Sequence, residues 1–382
     1  MAKLTAAFSS PALPDSPTLP DSPTLPPAVL DRLAAGTDLL ATWWPFAMAV
    51  VVLAALVVLT VRWRRRKGRA ALTVLGAVVA VVASLGLGIN AWSGYVPSLD
   101  GALRLLTAHG LAATATTGAL TPESIPMPPG LNMPASTTWI YTPPGYDAAS
   151  AASYPTLIMI HGSPGMSVDW SVGGDLAHNM DVLIDEGLIQ PMIVVMPEIN
   201  GYGSDQTDTE CLDSTRGGPQ VETYLTDVVV PWVDAHYATA ATWRSRAIGG
   251  MSAGAFCGVD QGLRHPELYG AIISIEGYDN PGSGGRAALA TNAEFLAHSP
   301  GDYVDTMTFE HPVAAFFGTS GNGDANDRND NEVLAATLLS RGHDVGYRNL
   351  PNQYHTWHAA RALLPSALVF ISGHLKEGGT SG

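Results

Sequence analysis

The chain has 382 residues, a formal net charge of −15 and two cysteines. That length allows a sizeable core, and the acidic balance excludes a nucleic-acid partner, because the clustered positive charge sits in one short segment. Hydrophobic residues make up 46% and charged residues 14%, too lean in charge for a wholly soluble protein, and two apolar blocks near the start account for the imbalance.

Residues 1–41 are Pro-rich, with overlapping copies of Leu-Pro-Asp-Ser-Pro-Thr-Leu at Leu13–Leu19 and Leu19–Leu25. Such composition favours extended polyproline II and cannot build a core, so a disordered tail is expected. Residues 42–63 and 70–92 are apolar runs, each long enough at ~1.5 Å per residue to cross ~30 Å of hydrocarbon. Trp43, Trp44, Trp63 and Trp92 stand at their ends, where interfacial aromatic belts form. A signal peptide fits poorly, since a long segment precedes the first run and no small-residue cleavage pattern follows it. A buried pair of soluble helices is disfavoured by the lack of charge, so two transmembrane helices are expected. Residues 64–69, within the basic run Arg62–Arg69, then form a short cytoplasmic loop. The positive-inside rule places the tail and everything after Trp92 outside the cytoplasm.

Residues 93–134 read as a juxtamembrane linker, in which Ser98–Ala108 has the pattern of a short amphipathic helix lying on the membrane. From residue 135 to 376, strands alternate with helices. Thr137–Tyr141 reads as an edge strand, and Tyr154–His161 and Ile189–Met196 are continuous apolar runs of the kind covered on both faces of a parallel sheet. Ala247–Met251, Ala271–Glu276, Val313–Gly318 and Val345–Leu350 supply further strands, with helices at Val221–His236 and Glu332–Ser340 among those between them. The pattern predicts a mostly parallel, doubly wound α/β sheet that binds ligands at the carboxyl ends of its strands.

At one such end stands Gly250-Met251-Ser252-Ala253-Gly254. The G-x-S-x-G spacing suits a sharp strand-to-helix turn that exposes a serine hydroxyl, its glycines relieving crowding on either side. In a chain with 40 glycines the pentapeptide is weak evidence by itself. Its surroundings supply the rest of a nucleophilic site. His161-Gly-Ser163-Pro-Gly165 follows the first buried strand and can aim the Ser163 N–H at an oxyanion, with the Ala253 N–H as second donor; an ordinary Gly-Pro turn with a packed His161 is the bland alternative. After Val313–Gly318 comes a loop rich in Asn and Asp, in which Asp324 is the expected acid, Asp327 the reserve, and Asp330 a helix cap. The loop lacks the spacing of a calcium site. His355, ahead of the final helix, is the expected base. His355 and His358 lack a third ligand, so no metal is expected; His109, His178, His236 and His374 read as solvated or structural. Cys211 and Cys257 form one disulfide outside the cytoplasm or remain two buried thiols.

Tyr141-Thr-Pro-Pro-Gly-Tyr146, Leu157-Ile-Met-Ile-His-Gly162, Thr209-Glu-Cys-Leu-Asp213, Gly250–Gly254 and Tyr354-His-Thr-Trp357 together resemble the esterase family that includes esterase D, feruloyl esterases and the antigen 85 mycolyltransferases. The similarity covers about residues 135–375, and the apolar hairpin before it resembles membrane-anchored members from mycolate-containing and other high-GC actinobacteria. The resemblance implies an α/β-hydrolase fold, a Ser-Asp-His triad, no cofactor, and a Cys211–Cys257 disulfide, since such relatives carry cysteines at these two places. Here the acid loop is longer and richer in Asn and Asp than usual. The expected protein is a cell-membrane, two-pass serine esterase with an extracytoplasmic catalytic domain, acting on an ester or acyl-lipid substrate. An acyltransferase onto envelope sugars or proteins, and a catalytically silent envelope-binding protein, are the alternatives.

Overall fold

The computed structural model describes residues 19–22, 24–35, 38–107, 110–112, 114, 116–134, 136–149, 152–201 and 206–376. His109 and most of the first Pro-rich repeat lie outside the described residues. Eight strands form one sheet in the order β1-β2-β4-β3-β5-β6-β7-β8. They are β1 (Ala119–Ser124), β2 (Thr137–Thr142), β3 (Thr156–Ile160), β4 (Ile193–Met196), β5 (Arg246–Met251), β6 (Ala271–Ile275), β7 (Ala314–Ser320) and β8 (Asp344–Leu350). β1–β2 and β2–β4 pair antiparallel; every other pairing is parallel. The central strands are buried along their whole length because both faces are covered. Leu157 and Met159 of β3 join a core with Leu363, Leu364 and Leu368 on one side, whereas Ile158 and Ile160 join Tyr224, Val229 and Cys257 on the other.

Two expectations are corrected at the margins of this domain. Thr137–Thr142 is not the edge, because β1 pairs outside it, inside the stretch read as linker. Pro122 and Glu123 hide that strand from pattern reading, and Pro122 is tolerated because β1 is outermost. The Pro-rich segment is not uniformly an extended, disordered tail. From residue 19 it is a strap along the opposite edge: the Ser22 N–H donates to the Tyr347 carbonyl of β8 at 3.0 Å, and the Tyr347 N–H donates to the Pro20 carbonyl at 3.2 Å. Helix α1 (Pro27–Ala34) follows, with proline tolerated in its first turn and Leu25 and Val29 buried against the core. Arg32 pairs with Asp185 at 2.7 Å and with Glu186. Every-third-residue proline limits helix length, but the intervening Leu and Val still find apolar surface.

Helices α2 (Trp43–Arg62) and α3 (Lys67–Ser93) form a hairpin, with mean hydropathies of 2.5 and 2.4 over 18-residue windows. Both are long and apolar enough to cross a membrane. Gly76 lies against Leu56, and the Thr60 hydroxyl donates to that of Thr73 at 2.8 Å, so the two helices satisfy each other's polar groups. Their outward faces stay apolar and exposed. Helix α4 (Leu99–Thr107) comes next in the chain.

The remaining helices that shape the site are α5 (Leu176–Asp185), α6 (Ala253–Arg264), α7 (Ala325–Ser340) and α8 (Trp357–His374). The stretch read as one helix over 221–236 contains a π-helical turn, Tyr224–Val229. A disulfide joins Cys211 to Cys257 on α6, closing a loop of 46 residues directly behind the serine turn. Replacing both cysteines by serine is expected to cost about 2–4 kcal/mol, a Tm lower by roughly 4–16 °C, chiefly through a less constrained unfolded chain. A Tm unchanged by the double substitution in calorimetry would contradict this.

Candidate active site

β5 runs straight into α6 through Ser252, whose backbone is held at φ +58°, ψ −122°. Few residues with a side chain occupy that region, and holding one there costs about 1–3 kcal/mol. The turn closes only because its flanks are glycine. A Cβ at Gly250 would overlap the Ile160 carbonyl oxygen and lie 2.7 Å from the backbone of Gly254; one at Gly254 would lie 2.6 Å from the His161 carbonyl oxygen. The Ser252 N–H is spent on the Ile275 carbonyl at 3.0 Å. Ala253 is the first residue of α6, so its N–H has no acceptor within the helix.

The turn after β3 packs beside this elbow: a Cβ on Gly162 would lie 3.4 Å from that of Ser252. Behind it, His161 is fully buried, with Nε2 3.1 Å from Glu198 Oε1. Burial alone would lower its pKa, but Glu198 raises it above the ordinary value. The other Glu198 oxygen accepts the Ser167 N–H at 2.8 Å. His161 therefore braces the turn that carries Ser163, and the packed reading of this histidine applies. Ser163 itself lines the same cleft as Ser252.

His355 precedes α8 and lines that cleft too. Burial lowers its pKa, and the charge of Asp324 offsets part of the shift. Among the described residues, the carboxylate within ion-pair range of His355 belongs to Glu276, with Oε2 3.7 Å from Nδ1. This departs from the expected acid. Asp324 is exposed and caps α7, accepting the Asn326 N–H at 2.7 Å. Asp327, the expected reserve acid, and Asp330, the expected cap, lie within α7, which begins earlier than expected. Glu276 directly follows β6 in a positive-φ conformation (+55°), and burial pushes its pKa up to about 7, with Ser320 pulling the other way. Its Oε1 is buried without a partner. Asn331 of α7 pins this strand end, accepting from Ser274 at 2.8 Å and donating to the Gly277 carbonyl. A carboxylate closing the apolar run Ala271–Ile275 was the available signal in the sequence. Chain order alone points one strand later, to the loop after β7.

The cleft has a volume of about 670 Å³ and is walled by Gly162–Met166, Ser252, His355 and Trp357, together with Trp92, Ser93 and Tyr95 at the end of α3. The described residues contain no cluster of three or more His, Cys, Asp or Glu able to hold a metal.

A mostly parallel sheet carrying a serine on a strained strand-to-helix turn, with a histidine at the same sheet end, defines an α/β-hydrolase fold. The family described as "Putative esterase" matches residues 134–360, more than half of the chain, and the protein belongs to that family. An uncharacterized protein of Corynebacterium glutamicum is 28% identical over 224 residues, covering 56% of this chain and 49% of that protein. An endo-1,4-beta-xylanase/feruloyl esterase of Xylanibacter ruminicola is 31% identical over 134 residues, 34% of this chain and 18% of that one. The chain thus spans half or less of these curated relatives. Among solved structures, a ferulic acid esterase superposes with a TM-score of 0.59 at 19% identity, covering 68% of this chain and all of its own. MPT51 of Mycobacterium tuberculosis gives 0.51 at 14% identity, covering 66% and 98%. At these identities the likeness is one of fold.

Proposed function

We propose that the protein is a serine esterase anchored in a bilayer by the α2–α3 hairpin, with Ser252 as nucleophile, His355 as general base and Glu276 as the acid that orients it. The observation that carries this reading is the strained Ser252 turn opening into one cleft with His355, whose Nδ1 faces Glu276. A neutral His355 can take the Ser252 proton as the hydroxyl oxygen attacks the ester carbonyl. Glu276 then stabilises the imidazolium, and the N–H groups of Ser163 and Ala253 receive the oxyanion. The proton passes to the departing alkoxide, and water resolves the acyl-enzyme. Transfer to an alcohol is the second reading, supported by Trp92 and Trp357 in the wall, which lower the access of water to the acyl group.

The basic turn Arg62–Lys67 lies at one end of the hairpin and the esterase domain at the other. The positive-inside rule then puts the domain on the outer side of the membrane. A fluorophosphonate probe added to the full-length protein is expected to label Ser252, by peptide mapping, and His355→Ala to abolish the label. A folded protein that takes no label would instead support a silent envelope-binding role.

A further inference from the structure

The end of α3 is built into the catalytic cleft. His358 Nε2 donates to the Ala91 carbonyl at 3.1 Å and Arg361 to that of Gly94 at 2.9 Å. The Tyr95 hydroxyl donates at 2.6 Å to Asp169, whose other oxygen holds the Met166 N–H at 3.0 Å, beside the Ser163 turn. Gly94 turns at φ +69° with the His358 ring so close that a Cβ there would lie 2.7 Å from it. A hairpin that served only as a tether would not need this fit.

Two apolar surfaces lead away from that junction. Trp92, which lines the cleft, continues down α3 through Ile89, Leu85 and Val82, all more than half exposed and spaced to share one helix face. On α4, Leu99, Leu103 and Leu106 point outward at 73%, 54% and 79% exposure, while Arg104 is buried. A helix that turns three of its four leucines out and its arginine in, with Leu105 packed against the core, is inverted for water and suited to the headgroup–acyl boundary of a bilayer.

We infer that the cleft takes a lipid-borne ester directly from the bilayer interface, its acyl chain lying along the Trp92 face of α3 while the carbonyl reaches Ser252. This rests on the serine-esterase reading and specifies its substrate class: an amphipathic ester with a long apolar chain, presented in the membrane plane.

The test uses the full-length protein in phosphatidylglycerol/phosphatidylethanolamine proteoliposomes, with 4-nitrophenyl butyrate as soluble ester and 4-methylumbelliferyl palmitate as bilayer-resident ester. At fixed total palmitate ester, diluting it tenfold with inert lipid is expected to cut its rate several-fold. Trp92→Ala is expected to lower the palmitate-to-butyrate rate ratio at least tenfold, and Trp92→Phe to restore much of it; fluorophosphonate labelling reports whether each variant retains a working site. Labelled protein whose palmitate rate ignores surface dilution, or whose ratio survives Trp92→Ala, overturns the bilayer route and leaves the esterase standing. Wild-type protein that neither labels nor cleaves either ester overturns the esterase reading, and this inference with it.

Discussion

Ser252→Ala is expected to lower ester hydrolysis on the order of 10⁶-fold, the size of effect seen when the nucleophile of a coupled triad is removed. Binding and folding should survive, because alanine keeps the Cβ and the N–H that donates to Ile275. Ser252→Gly should be equally inactive and more stable. Glycine occupies φ +58° freely, so the 1–3 kcal/mol of strain is relieved, offset by about 0.5–1 kcal/mol of extra chain entropy lost on folding. Denaturant midpoints should therefore rank glycine above alanine, with alanine close to wild type. That order would mean that the fold holds Ser252 in strain for the sake of its hydroxyl. Alanine retaining a tenth of the activity would remove the nucleophile from this site.

The second large effect separates two carboxylates. Glu276→Gln is expected to lower kcat by roughly 10³–10⁴-fold, because the amide cannot stabilise the imidazolium. Asp324→Asn should change kcat less than about threefold and leave stability intact, since asparagine caps a helix as well as aspartate does. The pH profile adds a signature that a structural role would not produce. The productive state needs Glu276 ionised and His355 neutral, and Glu276 is held up near 7, so wild-type kcat/KM should rise through about pH 7. With glutamine at 276 only His355 titrates on that limb. Burial already holds it below its ordinary value, and it loses an anion that favours its charged form, so the limb should move to lower pH. A large loss in Asp324→Asn with a small one in Glu276→Gln would restore Asp324 as the acid.

Much of the site could be read locally. Ser252 and the glycines around it are encoded within five residues, because the turn's conformation and the absence of room for a Cβ are both properties of that short stretch. The continuous apolar runs of β3 and β4 declared strands covered on both faces of a parallel sheet, and the two long apolar helices declared themselves by length. The Cys211–Cys257 pairing followed from resemblance to relatives, not from spacing.

What the chain order could not decide was which acid meets His355. Several carboxylates follow β6 and β7, and their separation in sequence is a poor guide to distance once strands lie side by side about 4.8 Å apart. Only the parallel registration of β6 with β7, and of β7 with β8, brings Glu276 to His355 while Asp324 is drawn into capping α7. The strap at residues 19–22, the hidden edge strand β1 and the hairpin's place in the cleft wall were decided in the same way. Each depends on a surface assembled from distant segments: the free edge of β8, the free edge of β2, and the hollow between the Ser163 turn and α8 that receives Trp92 and Tyr95. Local sequence sets what each segment can be, and complementarity between surfaces that exist only after folding sets where it goes.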